Sequence, residues 1–134
     1  MAPTQPLGEL QLAIMQVLWE RGEASAADVH AALAERGLAY TTIATMLVKM
    51  EQKGVVAHRA EGRRFIYQPL LSAQRVQRSM VRELRDRLFG GDVTALVSHL
   101  LSTHRLSRDE LSRLKELIGD AEKGERTKPE GGHD

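Results

Sequence analysis

Three threonines, Thr41, Thr42 and Thr45, fall within five residues, and Lys49 follows a helical turn later. A threonine hydroxyl donates or accepts a hydrogen bond, and its methyl can meet another methyl such as that of thymine. A lysine supplies a cation for phosphate or for the acceptor edge of guanine. Tyr40 precedes this run, and Arg63 and Arg64 bring two more cations from further along the chain. Residue types in this order suit recognition of a polar, anionic surface. They do not suit bond-breaking chemistry. A plainer reading also exists, because threonines at a helix start are often caps or solvated hydroxyls.

Other chemistries leave few traces. The chain of 134 residues contains no cysteine, which removes disulfides, thiolate zinc sites, iron–sulfur ligation and cysteine nucleophiles. It has no glycine-rich phosphate loop, no HExxH and no nucleophile elbow. No spacing singles out a catalytic triad, so the chain is not expected to be an enzyme. The histidines are His30, His58, His99, His104 and His133. His99 and His104 are five apart and fall on different helix faces, so no metal site and no cofactor are expected. A metal-responsive regulator and a winged helix that binds only proteins remain as alternative readings.

The elements that position the threonines follow from periodicity. Residues 9–21 carry Leu10, Ile14, Val17 and Leu18 at helical spacing, and Gly22 fits the stop. Ser25 with Asp28 reads as a capping box opening a second helix that ends at Arg36-Gly37. The stretch AYTTIATMLVKMEQKGVV repeats Ile43, Met46, Leu47 and Met50 at helical spacing and predicts a third helix from about Thr41, closed at Lys53-Gly54. Its outward face then carries Thr42, Thr45, Lys49, Gln52 and Lys53. Segments 55–60 and 63–68 are rich in β-branched and aromatic residues around Glu61-Gly62 and predict a hairpin ended by Pro69. Phe65 and Tyr67 alternate with Arg64 and Ile66, which predicts one hairpin face packed on the helices. Helix, helix, short turn, helix, hairpin is a winged helix-turn-helix.

Residues 72–89 are again helical, with Val76, Met80, Leu84 and Leu88 spaced by four. After Gly90-Gly91, Asp92 caps a helix bearing Val93, Leu96, Val97, Leu100 and Leu101. Ser107 with Glu110 forms another capping box, before a helix bearing Leu111, Leu114 and Ile118. About fifty residues are too few to bury such stripes alone. A second copy of the chain would cover them. The expected fold is therefore mainly α: a winged helix over residues 1–70, a helical dimerisation region over 71–118, and a disordered tail over 119–134.

Charge supports this layout. The net charge is +1, which says little, but its distribution is uneven. Residues 1–48 hold five acids and two bases, a net −3, and residues 49–68 hold five bases and two acids, a net +3. The positive segment is the third helix and the hairpin, the parts of a winged helix that approach a duplex. Five bases per protomer would neutralise ~10 phosphates in a dimer, a log–log salt slope near −9. No apolar run nears the roughly 18 residues of a membrane span. The start, MAPTQPLGELQ, lacks the basic and apolar regions of a signal peptide. A cytoplasmic protein without direct membrane binding is expected.

LGELQLAIMQVLWERG, AYTTIATMLVKMEQKGVV and GRRFIYQP together resemble the penicillinase-repressor family of winged-helix regulators, the BlaI/MecI/CopY type, over most of residues 7–118. The resemblance implies a homodimer that represses transcription from a palindromic double-stranded DNA operator. It places Tyr40, Thr41, Thr42, Thr45 and Lys49 at the DNA-facing end, with Arg63 and Arg64 in the wing. It also implies a membrane-bound sensor protease as partner, whose signal leads to cleavage in the dimerisation region. Penicillinase repressors are cut at an Asn-Phe bond in the helix corresponding to VTALVSHLLSTH. Here His99-Leu100 stands at that place, which puts cleavage there in question. The copper-responsive branch uses a cysteine-rich C-terminal motif that this chain lacks.

Overall fold

The computed structural model describes residues 7–127. It runs α1 (Glu9–Arg21), β1 (Ala24–Ser25), α2 (Ala26–Ala32), a 3-10 turn (Ala34–Arg36), α3 (Tyr40–Gln52), β2 (Val56–Glu61), β3 (Arg64–Pro69), α4 (Ala73–Phe89), α5 (Val93–Thr103) and α6 (Arg108–Thr127). The chain divides into two compact units, one ending at Leu84 and the other beginning at Arg85.

The first unit is the winged helix. Helix α1 buries Ala13, Ile14, Met15, Val17 and Leu18. It stops at Gly22, whose φ of 86° is cheap for glycine and whose N–H donates to the Leu18 carbonyl at 2.7 Å. The capping box of α2 is complete: Asp28 N–H donates to Ser25 Oγ, and Ser25 N–H donates to Asp28 Oδ2, both at 3.1 Å. The α-helix then ends at Ala32, short of the expected Arg36. The chain tightens into the 3-10 turn, with Arg36 N–H donating to the Leu33 carbonyl.

Helix α3 drives Ile43, Leu47 and Met50 into a core shared with Ile14, Met15, Leu18, Val29, Val55 and Val56. The hairpin pairs β2 with β3 antiparallel, Glu61 opposite Arg64. That register leaves Gly62 and Arg63 as the loop, one residue beyond the expected Glu61-Gly62. Gly62 takes φ 63° at the first loop position, as a II′ hairpin turn requires. The sequence did not announce β1. It adds Ala24 and Ser25 to β3, giving the sheet order β1-β3-β2. Ile66 and Tyr67 are both buried and Phe65 is not. Strict alternation of the face containing Phe65 and Tyr67 is thus corrected.

The division inside α4 lies beyond the boundary expected at residue 70. The first unit holds the early part of this helix: Trp19 Nε1 donates to the Leu71 carbonyl at 2.8 Å, and Val76 is buried. In the second unit, Asp92 accepts from Ala95 N–H to cap α5, and Ser107 and Glu110 form the capping box of α6. The tail expected from Gly119 is corrected as far as Thr127. Helix α6 continues through that glycine, because Asp120, Ala121, Glu122 and Lys123 include strong helix formers and no proline intervenes before Thr127. The rest of that expectation, 128–134, lies outside the described residues. Among the described residues no helix is long and apolar enough to cross a membrane.

Candidate nucleic-acid interface

The threonines are not spent on capping. The N-cap of α3 is Ala39, which makes no side-chain cap hydrogen bond. Thr41, Thr42 and Thr45 are all exposed on the helix that follows, as are Val48, Lys49 and Gln52. Tyr40 opens the helix with its ring edge-on to His30, centroids 5.9 Å apart. His30 is itself held by donating Nε2–H to the Leu38 carbonyl at 2.9 Å. Core contacts on one side of α3 thus fix which side faces out.

Lys53 does not belong to that outward face. It is half-buried and donates to Gln11 Oε1 at 3.0 Å, while Gln11 Nε2 points at Met46 Sδ. This side of α3 faces α1. The opposite flank faces the wing, where His58 Nδ1 donates to Glu51 Oε1 at 2.7 Å and the His58 ring stacks on Phe65 at 4.3 Å.

The wing's three arginines have different surroundings. Arg63 sits in the two-residue loop at the tip, exposed. Arg64 starts β3 and approaches Glu61 at 3.6 Å. Arg59 is engaged twice over: Nη1 and Nη2 donate to the two oxygens of Glu23 at 2.6 and 3.1 Å, and Nη2 also reaches Glu61 at 3.1 Å. The Arg59 guanidinium holds the Glu23 carboxyl below the usual carboxylate range, and Glu23 first, then Glu61, raises Arg59 in turn. Arg59 ties β2 to the turn after α1, and its charge is largely answered within the protein.

Between α3 and β3 lies an open groove. Tyr40, Ala44 and Val48 form one wall, at successive turns of the helix, and Arg63, Arg64 and Phe65 form the other. Ser25, Ala26, Ala27 and Tyr67 complete the lining. Burial raises the Tyr67 phenol above its ordinary value. The fold therefore gathers Tyr40, Arg63 and Arg64 around one groove, while Thr41, Thr42, Thr45 and Lys49 are exposed on α3 outside its lining. Val48 and Phe65, 48% and 51% exposed, were not singled out from sequence. Val48 follows Thr45 by three residues and Thr41 by seven, but as an apolar residue next to Leu47 it reads by type as part of the core run.

Among the expected dimerisation residues, Leu84, Leu88, Val93, Val97, Leu100, Leu111, Leu114 and Ile118 are exposed, Leu88 to 70%. Met80 and Leu96 are half-buried. Val76, by contrast, is already buried within the single chain. Val81, Leu101 and Leu117 are exposed as well. His99 and Leu100 lie inside α5, where the His99 carbonyl accepts from Thr103 Oγ1 at 2.7 Å and from Ser102 Oγ at 3.2 Å.

Residues 7–120 match the family model described as Penicillinase repressor. The chain is 33% identical over 135 residues to the transcriptional regulator BlaI of Mycobacterium tuberculosis (strain ATCC 25618 / H37Rv), covering 98% of this chain and 96% of that protein. It is 25% identical over 113 residues to the penicillinase repressor of Bacillus licheniformis, covering 84% and 88% of the two chains. Among solved structures, it is similar to the solution structure of the DNA binding domain of the repressor BlaI, with a TM-score of 0.49 and 28% identity, over 55% of this chain and 90% of that one. A winged helix-turn-helix followed by amphipathic helices, matched across residues 7–120, places the chain in the penicillinase-repressor family, a family of transcriptional repressors and not of enzymes.

Proposed function

We propose that the protein is a homodimeric repressor that binds a palindromic DNA operator through α3 and the wing. The observation that carries this reading is the uncapped, exposed threonine face of α3 with Lys49 behind it and Arg63 at the wing tip. Small side chains at the N-terminal end let a helix sit close to base edges in the major groove. Thr41, Thr42 and Thr45 then face bases, Lys49 meets phosphate, and Arg63 and Arg64 hold the backbone on the wing side. A duplex in that position would have the strand between its two grooves pass along the groove between α3 and β3.

Dimerisation is supported by the apolar stripes that the second unit leaves on its surface. Exposed Leu88, Val93, Val97, Leu100, Leu114 and Ile118 are more than scattered surface apolars would supply. Two copies place two α3 helices on successive half-sites, ~34–36 Å apart or a multiple of it. Release through a sensor partner, with a cut near His99-Leu100, requires α5 to open first, since a protease takes its substrate extended and this bond is helical.

The test is a salt-titrated binding assay on the DNA upstream of the protein's own gene, with random duplex as competitor. A protected, roughly palindromic site bound far more tightly than random DNA supports the reading. Equal weak binding to every promoter fragment tried would sink it. Sedimentation of the Leu88→Glu/Ile118→Glu variant tests the dimer, which should fall to monomer and lose most of its operator affinity.

A further inference from the structure

Val48 is an odd choice for its position. It lies on the outermost stripe of α3 with Thr41, Thr45 and Gln52, at spacings of seven, three and four. It is 48% exposed, while Ile43, Leu47 and Met50 on the inner face are fully buried. The core gains nothing from it. A β-branched residue also loses rotamer freedom in a helix, so an exposed position favours lysine, glutamate or glutamine on local grounds. Its surroundings are apolar on one side only: Ala44 and Tyr40 precede it along the helix, and Phe65 stands across the groove.

We infer that Val48 is a specificity-determining residue that packs its methyls against the C5-methyl of a thymine in the major groove. This rests on the operator-binding reading above. The chemistry is selective because valine carries no donor or acceptor. Against thymine it meets an apolar group. Against cytosine it covers an amino group, and against guanine an acceptor edge, each losing water without a new partner. Thr45 lies one turn earlier on the same stripe and offers a hydroxyl beside its methyl, so the two residues address neighbouring positions with different demands.

The experiment uses the full chain and the duplex it enriches most strongly from a random-sequence pool. Each thymine is replaced in turn by deoxyuridine, in both half-sites, which removes a methyl and leaves the pairing intact. For the unsubstituted protein, one thymine per half-site should lose about fourfold in affinity per methyl, and about sixteenfold with both replaced. For Val48→Ala, the unmodified duplex should bind more weakly, and deoxyuridine at that position should cost less than about twofold, the mark of a coupled pair. Val48→Thr keeps one methyl and should keep part of the sensitivity. If Val48→Ala weakens binding but every thymine retains its full deoxyuridine penalty, Val48 touches the backbone and the inference is overturned. It is equally overturned if no thymine responds. In both cases an enriched sequence leaves the operator reading standing, whereas a pool that yields no preferred sequence removes that reading too.

Discussion

The salt dependence of DNA binding separates the sequence-level account of charge from the structural one. Counting every base in α3 and the wing gives five per protomer, Lys49, Lys53, Arg59, Arg63 and Arg64. A dimer would release counterions from ~10 phosphates, a slope near −9. Internal pairing is expected to withhold two of the five. Arg59 is held by both oxygens of Glu23 and by Glu61, and Lys53 is half-buried against Gln11. Three bases per protomer would remain, so a dimer would meet ~6 phosphates and the expected slope is about −5. Three substitutions separate the two counts. Arg63→Gln should flatten the slope by about 2, since it removes one contact from each protomer. Arg59→Gln should change it by less than about 1. Glu23→Gln works in the opposite sense: it loosens Arg59 and should steepen the slope by up to about 2. Fluorescence anisotropy on an operator duplex from about 50 to 200 mM salt resolves such differences. A slope near −9 for the unsubstituted protein, or an Arg59→Gln effect equal to that of Arg63→Gln, would refute the view that internal pairing withholds Arg59 from DNA.

Ser25→Ala removes the Oγ that caps α2 and should cost about 1 kcal/mol, lowering the melting temperature by on the order of 4 °C. Hydrogen bonding to the Ser25 backbone first, then to its side chain, holds the Asp28 carboxyl below its ordinary value. A depressed carboxyl stabilises the fold above its unfolded pKa of about 3.9, and that contribution is lost as pH falls through the folded value. The gap in melting temperature between the parent and Asp28→Asn should therefore be open at pH 6 and close as pH is taken below about 4. Leu47→Ala leaves a cavity in the fully buried core and should cost about 2–5 kcal/mol in urea unfolding, taking operator binding with it. Thr45→Ala, at an exposed position, should leave the melting temperature within about 2 °C while reducing preference for operator over random DNA by at least tenfold.

Much of this protein could be read in one dimension. Helical spacing marked α1, α3 and α4, because an amphipathic helix repeats its buried residues every three or four positions whatever it packs against. Capping boxes at Ser25 and Ser107 announced two helix starts, since both partners lie within one turn and need nothing distant. The run of threonines before Lys49 and the pair Arg63-Arg64 stood out by residue type alone.

What depended on distance in sequence was not legible. The two-residue strand β1 exists because Ala24 and Ser25 meet Tyr67 and Ile66 across the fold, and two residues carry no period. Ile66 and Tyr67, neighbours in β3 whose side chains point to opposite faces, are both buried, which alternation with one buried face does not anticipate. Arg59 and Arg63 look equivalent in a charge count, yet Glu23, far away in sequence, answers one of them and leaves the other at an exposed tip. Val48 was hidden for the same reason: an apolar residue within an apolar run reads as core until the packing shows which side of the helix faces out. Local chemistry and periodicity were therefore determined by the sequence itself. Which charges stay available and which methyl is presented were decided by tertiary contacts, because burial and ion pairing are properties of neighbours in space.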